Sequence, residues 1–198
     1  DVMLRPIHPK RRRLRSLSAF LTGESISAVY YRDRRMRQWV ERTVREQGIR
    51  HAVLYSSPVV QYVAGESGRQ MRRVAHFSDV DSEKWRQYGA AHRGPIGWVY
   101  RREADRLLAF ETEMANAVEA TAFVTEADAQ LFRTLAPEVA DRIGVIENGV
   151  DTAYFDPALD FDCPYVAGGP VIVFTGVMDY WANVDAVQWF AAEVLPRV

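Results

Sequence analysis

Short apolar runs alternate with longer amphipathic stretches along most of this chain. His51 to Tyr55, Val74 to Phe77, Ala122 to Val124 and Ile143 to Ile146 read as buried strands, each bounded by turn or capping residues. Between them lie segments with helical periodicity. Arg32 to Gln47 places Met36, Trp39, Val40 and Val44 on one face, with Gly48 as its stop. Ser56-Ser57-Pro58 opens a helix through Val63, and Glu83 to Ala91 reads as another. Gly94-Pro95 begins a long helix to about Val118 with Leu107, Leu108, Met114 and Val118 inward. Thr125-Glu126 opens a helix through Leu135. Nearer the start, Val2 to Arg5 reads as a short strand. Arg11 to Leu21 reads as a basic helix with Leu14, Leu17, Phe20 and Leu21 as its apolar side. Strand and helix alternate, which predicts an α/β fold: a Rossmann-like parallel sheet with helices on both faces.

A second unit is expected after Ile146. Pro157, Pro164, Gly168, Gly169 and Pro170 mark a linker over 156–169. Beyond it, Pro170 to Thr175 reads as a strand, Gly176 to Trp181 as a turn, and Asn183 to Glu193 as a helix burying Val184, Val187, Trp189 or Phe190, and Val194. The expected organisation is a first domain over 1–155, the linker, and the beginning of a second Rossmann-like domain over 170–198. One strand and one helix cannot close a core, and the chain begins with Asp1, so it reads as an internal piece of a longer protein. The apolar face carrying Trp189 and Phe190 is then expected to pack back on the first domain, to be buried in a homodimer, or to leave this last segment disordered.

Composition narrows the function classes. The chain is 48% hydrophobic and 26% charged with a net charge of -1, ordinary for a folded protein and without a global field for nucleic acid. No apolar run reaches the ~20 residues of a membrane span. The single cysteine, Cys163, allows no intrachain disulfide, which fits a reducing cytoplasm. Lys10 to Arg15 is a local exception in charge: either a solvated helix face or a contact with an anionic membrane surface. No His/Cys/Asp spacing suggests a metal site.

Three strings carry candidate chemistry. Val145 to Asp151 is an apolar strand running into Asn148-Gly149, with Phe155-Asp156-Pro157 following; alone, Asn-Gly is a tight turn. Val173 to Ala186 is a strand, a loop holding Gly176, and a helix start at Asn183. His76-Phe77-Ser78-Asp79-Val80-Asp81-Ser82-Glu83-Lys84-Trp85 places two carboxylates where a parallel strand ends, the edge at which open α/β sheets bind ligands. Asp81 or Ser82 also suits the role of a helix cap. Thr125 is either a plain N-cap or a hydroxyl at a helix start that receives a polar substrate group. Glu111 interrupts an apolar line and suits either an acceptor contact or an arginine pair.

Together these strings resemble the GT-B-fold retaining glycosyltransferases, and among them the bacterial sugar transferases of exopolysaccharide and exosortase systems. Ala182 stands where that pattern usually has proline. The resemblance implies transfer of a sugar from a nucleotide-diphosphate sugar to a glycan or lipid-linked acceptor in cell-surface polysaccharide synthesis, in the cytoplasm or on the inner face of the membrane. It implies no metal or other cofactor. It makes Asp79 and Asp81 the catalytic candidates, with Thr125, Glu126, Asn148, Gly149, Gly176 and Asn183 as substrate-binding candidates. The family's paired-glutamate donor motif and N-terminal Gly-rich turn do not occur in these residues, so the chain alone is expected to be inactive. A non-hydrolysing sugar-nucleotide 2-epimerase and a non-catalytic glycosyltransferase-like binding domain are the alternatives.

Overall fold

A computed structural model describes residues 2–162, 164–165 and 169–198; Cys163 and positions 166–168 of the expected linker lie outside the described residues. The chain divides into two compact units, 1–149 and 150–198. The division falls inside the Asn148-Gly149-Val150-Asp151 string, ahead of the Pro/Gly-rich stretch.

The first unit is α/β. Among the described residues its sheet has four parallel strands in the order β1 (His51–Tyr55), β2 (Arg72–Ser78), β3 (Ala120–Phe123), β4 (Ile143–Val145). Tyr55 pairs with His76, His76 with Ala122, and Ala122 with Gly144. The strands match the expected runs to within two or three residues. Helices flank the sheet, as alternating periodicity requires. They are α1 (Pro9–Ser16), α2 (Ala19–Thr22), α3 (Ile26–Tyr31), α4 (Arg34–Gln47), α5 (Ser57–Val60), α6 (Asp81–Ala91), α7 (Gly94–Asn116) and α8 (Glu126–Leu135).

Sequential strand order has a geometric consequence. Right-handed crossovers between neighbouring parallel strands carry their connecting helices to the same side of a sheet. The core lies on that side, where Leu54, Phe77, Phe123 and Ile143 point and where Phe132 of α8 and Met114 of α7 meet them. Phe77, Phe123 and Phe132 form an aromatic triad with centroids 5.1 to 6.1 Å apart. The opposite row is less covered: Val53 is 81% and Tyr55 66% exposed on the edge strand.

Local chemistry sets the helix ends. Asp33 caps α4 by accepting from the amides of Arg35 and Met36 at 2.9 and 3.1 Å, and Gly48 ends it at φ 61 in the left-handed region. One expectation near the start fails. Residues 2–5 form no strand, because no neighbouring strand is there to pair with, and Val2 and Leu4 are 85% and 84% exposed. The basic helix begins at Pro9 and is followed by the unexpected short helix α3, which Ser25 caps by accepting from the Ala28 amide.

In the second unit α9 (Trp181–Trp189) runs into a π turn over Phe190–Val194 and a final turn over Leu195–Arg197. The strand expected over 170–175 is not formed. Val171 to Phe174 are all exposed and carry no ladder partner among the described residues, and an unpaired strand leaves its backbone groups to water. Trp189 is 61% exposed, and no residue of α9 is buried.

Candidate functional site

The C-terminal ends of β1 and β2 concentrate the unusual geometry of the first unit. Ser56 follows β1 at φ 77 and Ser78 closes β2 at φ 71; they are the non-glycine residues with positive φ among those described. Such backbone costs ~1–3 kcal/mol per residue and persists only where the surroundings hold it. Both are held. The Ser56 amide donates to the His76 carbonyl at 2.8 Å, and the Ser78 carbonyl accepts from the Val124 amide at 3.0 Å. The ladder to β3 shifts register between His76 and Ser78, which re-aims the strand end.

His76 is the centre of this edge. Its ring stacks on Tyr55 at 5.4 Å with planes 7° apart. Its Nε2 lies 3.1 Å from the Ile146 carbonyl and its Nδ1 lies 3.2 Å from Ser78 Oγ. A carbonyl only accepts, so the neutral imidazole carries its proton on Nε2. Nδ1 is then a lone pair and accepts from the Ser78 hydroxyl. In the sequence pattern His76 falls inside the strand run and Ser78 in the segment that leaves it. A histidine on the more open sheet row, two residues before a strand-ending serine, is the signal that was available.

Asp79 and Asp81 stand beside this pair but are not free carboxylates. Lys84 Nζ lies 2.7 Å from Asp79 Oδ2 and 3.1 Å from Asp81 Oδ1. Partial burial works against the Lys84 charge, yet the hydrogen bonds and charges of Asp79 and Asp81 outweigh it and hold its pKa above the usual lysine value. Both carboxylates sit at a half-exposed ion triad.

Neither Asp81 nor Ser82 caps α6, whose preceding residue Val80 makes no side-chain cap. Glu111 does so from α7: its carboxyl lies 3.3 Å from the Ser82 amide and 2.6 Å from Ser82 Oγ. Glu111 is 1% exposed. It meets neither an arginine nor an open surface, so both expected roles are replaced by a structural one. Desolvation, with the nearby Asp81 charge, pushes its pKa up to about 8 against the opposing hydrogen bonds from Ser82.

The remaining candidates separate by role. Thr125 is the N-cap of α8, accepting from the Asp128 amide at 3.0 Å. Glu126 forms a 2.6 Å ion pair with Arg133 and is otherwise in solvent. Asn148 and Gly149 are exposed, and neither takes the positive φ that a tight Asn-Gly turn uses. The Ile146 carbonyl, two residues earlier, ties this segment to His76. In the second unit Asn183 Nδ2 donates to the Val177 carbonyl at 2.9 Å. A Cβ at Gly176 would lie 2.8 Å from that same Nδ2 and 3.0 Å from a Phe174 ring carbon. Glycine at 176 therefore admits Asn183 over the loop.

Among the described residues no group of three His, Cys, Asp or Glu is placed to hold a metal ion. No described helix is long and apolar enough to cross a membrane. Compared with family models, curated proteins and solved structures, the chain matches none of them. The glycosyltransferase resemblance is carried by its three motifs alone.

Proposed function

We propose that this chain is part of a glycosyltransferase that moves a sugar from a nucleotide-diphosphate donor to a glycan or lipid-linked acceptor. The observation that carries the reading is the His76–Ser78 pair, 3.2 Å apart, at the C-terminal edge of a parallel sheet. Backbone strain at Ser56 and Ser78 marks the same edge. In this reading the acceptor hydroxyl attacks the anomeric carbon while the diphosphate departs, and fixed dipoles stabilise the developing charge. With its proton on Nε2, His76 accepts from the Ser78 hydroxyl at Nδ1 and so orients that oxygen for a polar group of the acceptor. Lys84, held protonated between Asp79 and Asp81, fixes both carboxylates at this strand end. Thr125, Glu126, Asn148, Gly149, Gly176 and Asn183 stay as binding candidates on the resemblance alone. The setting would be cell-surface polysaccharide synthesis at the cytoplasmic face of the membrane, with Lys10 to Arg15 toward the lipid.

A second reading has one observation in its favour. Lys84 pairs with both aspartates, which suits a binding domain without catalysis as well as it suits an enzyme.

Label transfer from a panel of nucleotide sugars to polyprenyl-diphosphate glycans separates the two. The protein made from its full reading frame is expected to transfer label, and His76→Ala to lose most of it. Binding of nucleotide sugar without transfer by the unsubstituted protein would establish the second reading instead.

A further inference from the structure

The first helical stretch is turned inside out. Leu17 and Ser18 join α1 to α2 in right-handed helical conformation, so residues 9–22 run as one nearly continuous helix. Arg12, Ser16 and Ala19 recur at helical spacing and form its inner face: Ser16 and Ala19 are 2% and 0% exposed, and Arg12 pairs with Asp33. Leu14, Leu17 and Leu21 stand outside, 72%, 54% and 92% exposed. An amphipathic helix of a globular protein normally buries such a stripe.

The stripe does not end at α2. Phe20 stacks on Trp98 at 6.2 Å, with the Arg102 guanidinium 4.8 Å over the Phe20 ring. Trp98 and Ile96, at the start of α7, are 55% and 57% exposed. Leucine ridge and tryptophan thus form one apolar surface across two elements. The charge of its N-terminal helix is one-signed. Residues 2–23 hold six basic side chains and no acidic one. Arg5 and Arg12 are engaged by Asp33, while Lys10, Arg11, Arg13 and Arg15 remain exposed.

We propose that this surface docks on an anionic phospholipid bilayer. Leu14, Leu17, Leu21 and Trp98 enter the boundary between headgroups and acyl chains, and the four exposed cations lie on the lipid phosphates. A second copy of the chain fits poorly, since a two-fold contact would bring the same cations face to face. Nucleic acid would use the charge but leave the leucines in water. Each cation near an anionic leaflet strengthens partitioning about fivefold. The proposal extends the membrane setting of the proposed function. Its test uses lipid with no sugar nucleotide present, so the two readings fail separately.

Co-sedimentation with vesicles of phosphatidylcholine alone, or mixed with phosphatidylglycerol, provides that test. The protein is expected to bind the mixed vesicles, to release with salt, and to ignore phosphatidylcholine. Leu17→Asp with Leu21→Asp is expected to weaken partitioning at least about tenfold, since each leucine gives up a buried apolar side chain. Both positions are exposed, so circular dichroism and the thermal midpoint are expected to hold; Leu21→Ser alone is the milder version. Binding that is undiminished in the leucine variants, or absent from the unsubstituted protein, overturns the proposal. So does a loss of self-association, rather than of lipid binding, in the same variants.

Discussion

Glu103 and Ser25 lie 78 residues apart in sequence and meet in a 2.8 Å hydrogen bond inside the first unit. The same carboxylate accepts from the amides of Ile26 and Ser27 at 2.7 and 2.8 Å. Glu103 therefore receives the N-terminus of α3, as Glu111 receives that of α6. Two glutamates eight positions apart on α7 hold the free amides of two other helices. This is why α7 carries buried acids on an otherwise apolar side.

Removing Glu103 strands those donors in the interior. Glu103→Ala is expected to cost about 3 kcal/mol, a sum of lost charge-assisted bonds and desolvated amides. Glu103→Gln keeps an acceptor and is expected to cost less than half as much. Chemical denaturation of both variants checks the order; equal, small losses would mean that α3 docks through its apolar contacts alone.

Glu111 gives the fold a pH dependence of opposite sign to that of a salt-bridged carboxylate. Its folded pKa, pushed up to about 8 by burial, lies above the ordinary carboxylate value of 4.5. Below 4.5 the carboxyl is protonated in both states and its full contribution is present. As pH rises the unfolded chain ionises first, so stability falls until the folded state also ionises near 8. The loss is of the order of a few kcal/mol, at about 1.4 kcal/mol per pH unit where it is steepest. Glu111→Gln is expected to flatten the stability profile in this window. A variant that keeps the slope would assign it to other groups.

Much of the first unit was legible in the sequence because its strands are short apolar runs between capped helices. Trans-acting caps were not. Ser25, Ser82, Glu103 and Glu111 each look ordinary locally, and their pairing depends on how α7 packs. The inverted N-terminal helix was illegible for a related reason. Leucines at helical spacing predict an apolar side but not which side the fold covers. The expected strand at 171–174 failed because an apolar run becomes a strand only beside a partner. The motif around Asp79 drew attention to the strand end where the backbone is unusual, while the geometry there singles out His76 and Ser78.

Strain at Ser56 can be relieved. Glycine adopts φ 77 freely, so Ser56→Gly is expected to be neutral or stabilising by up to about 1 kcal/mol, the relief being partly offset by glycine's larger unfolded-state entropy. Thermal unfolding checks this. A destabilised variant would show that the Ser56 side chain contributes more than its backbone costs.

Asp79 allows stability and activity to be separated. Its pair with Lys84 is half-exposed, which limits its contribution to about 1 kcal/mol or less. Asp79→Asn is expected to leave the thermal midpoint nearly unchanged while turnover of the full-length protein falls tenfold or more, as an order of magnitude for a site residue. Unchanged turnover would remove Asp79 from the site.

The central claim is that a nucleotide sugar or its acceptor enters at the strand ends around His76 and Ser78. Amide NMR of this chain, titrated with nucleotide sugars and with glycan acceptors, tests it most directly. The account predicts that the largest shifts fall on Ser56, His76, Ser78 and Asp79, and that His76→Ala removes them. Shifts confined to the opposite sheet edge near His51 and Arg72, or none with any of these ligands, would contradict it.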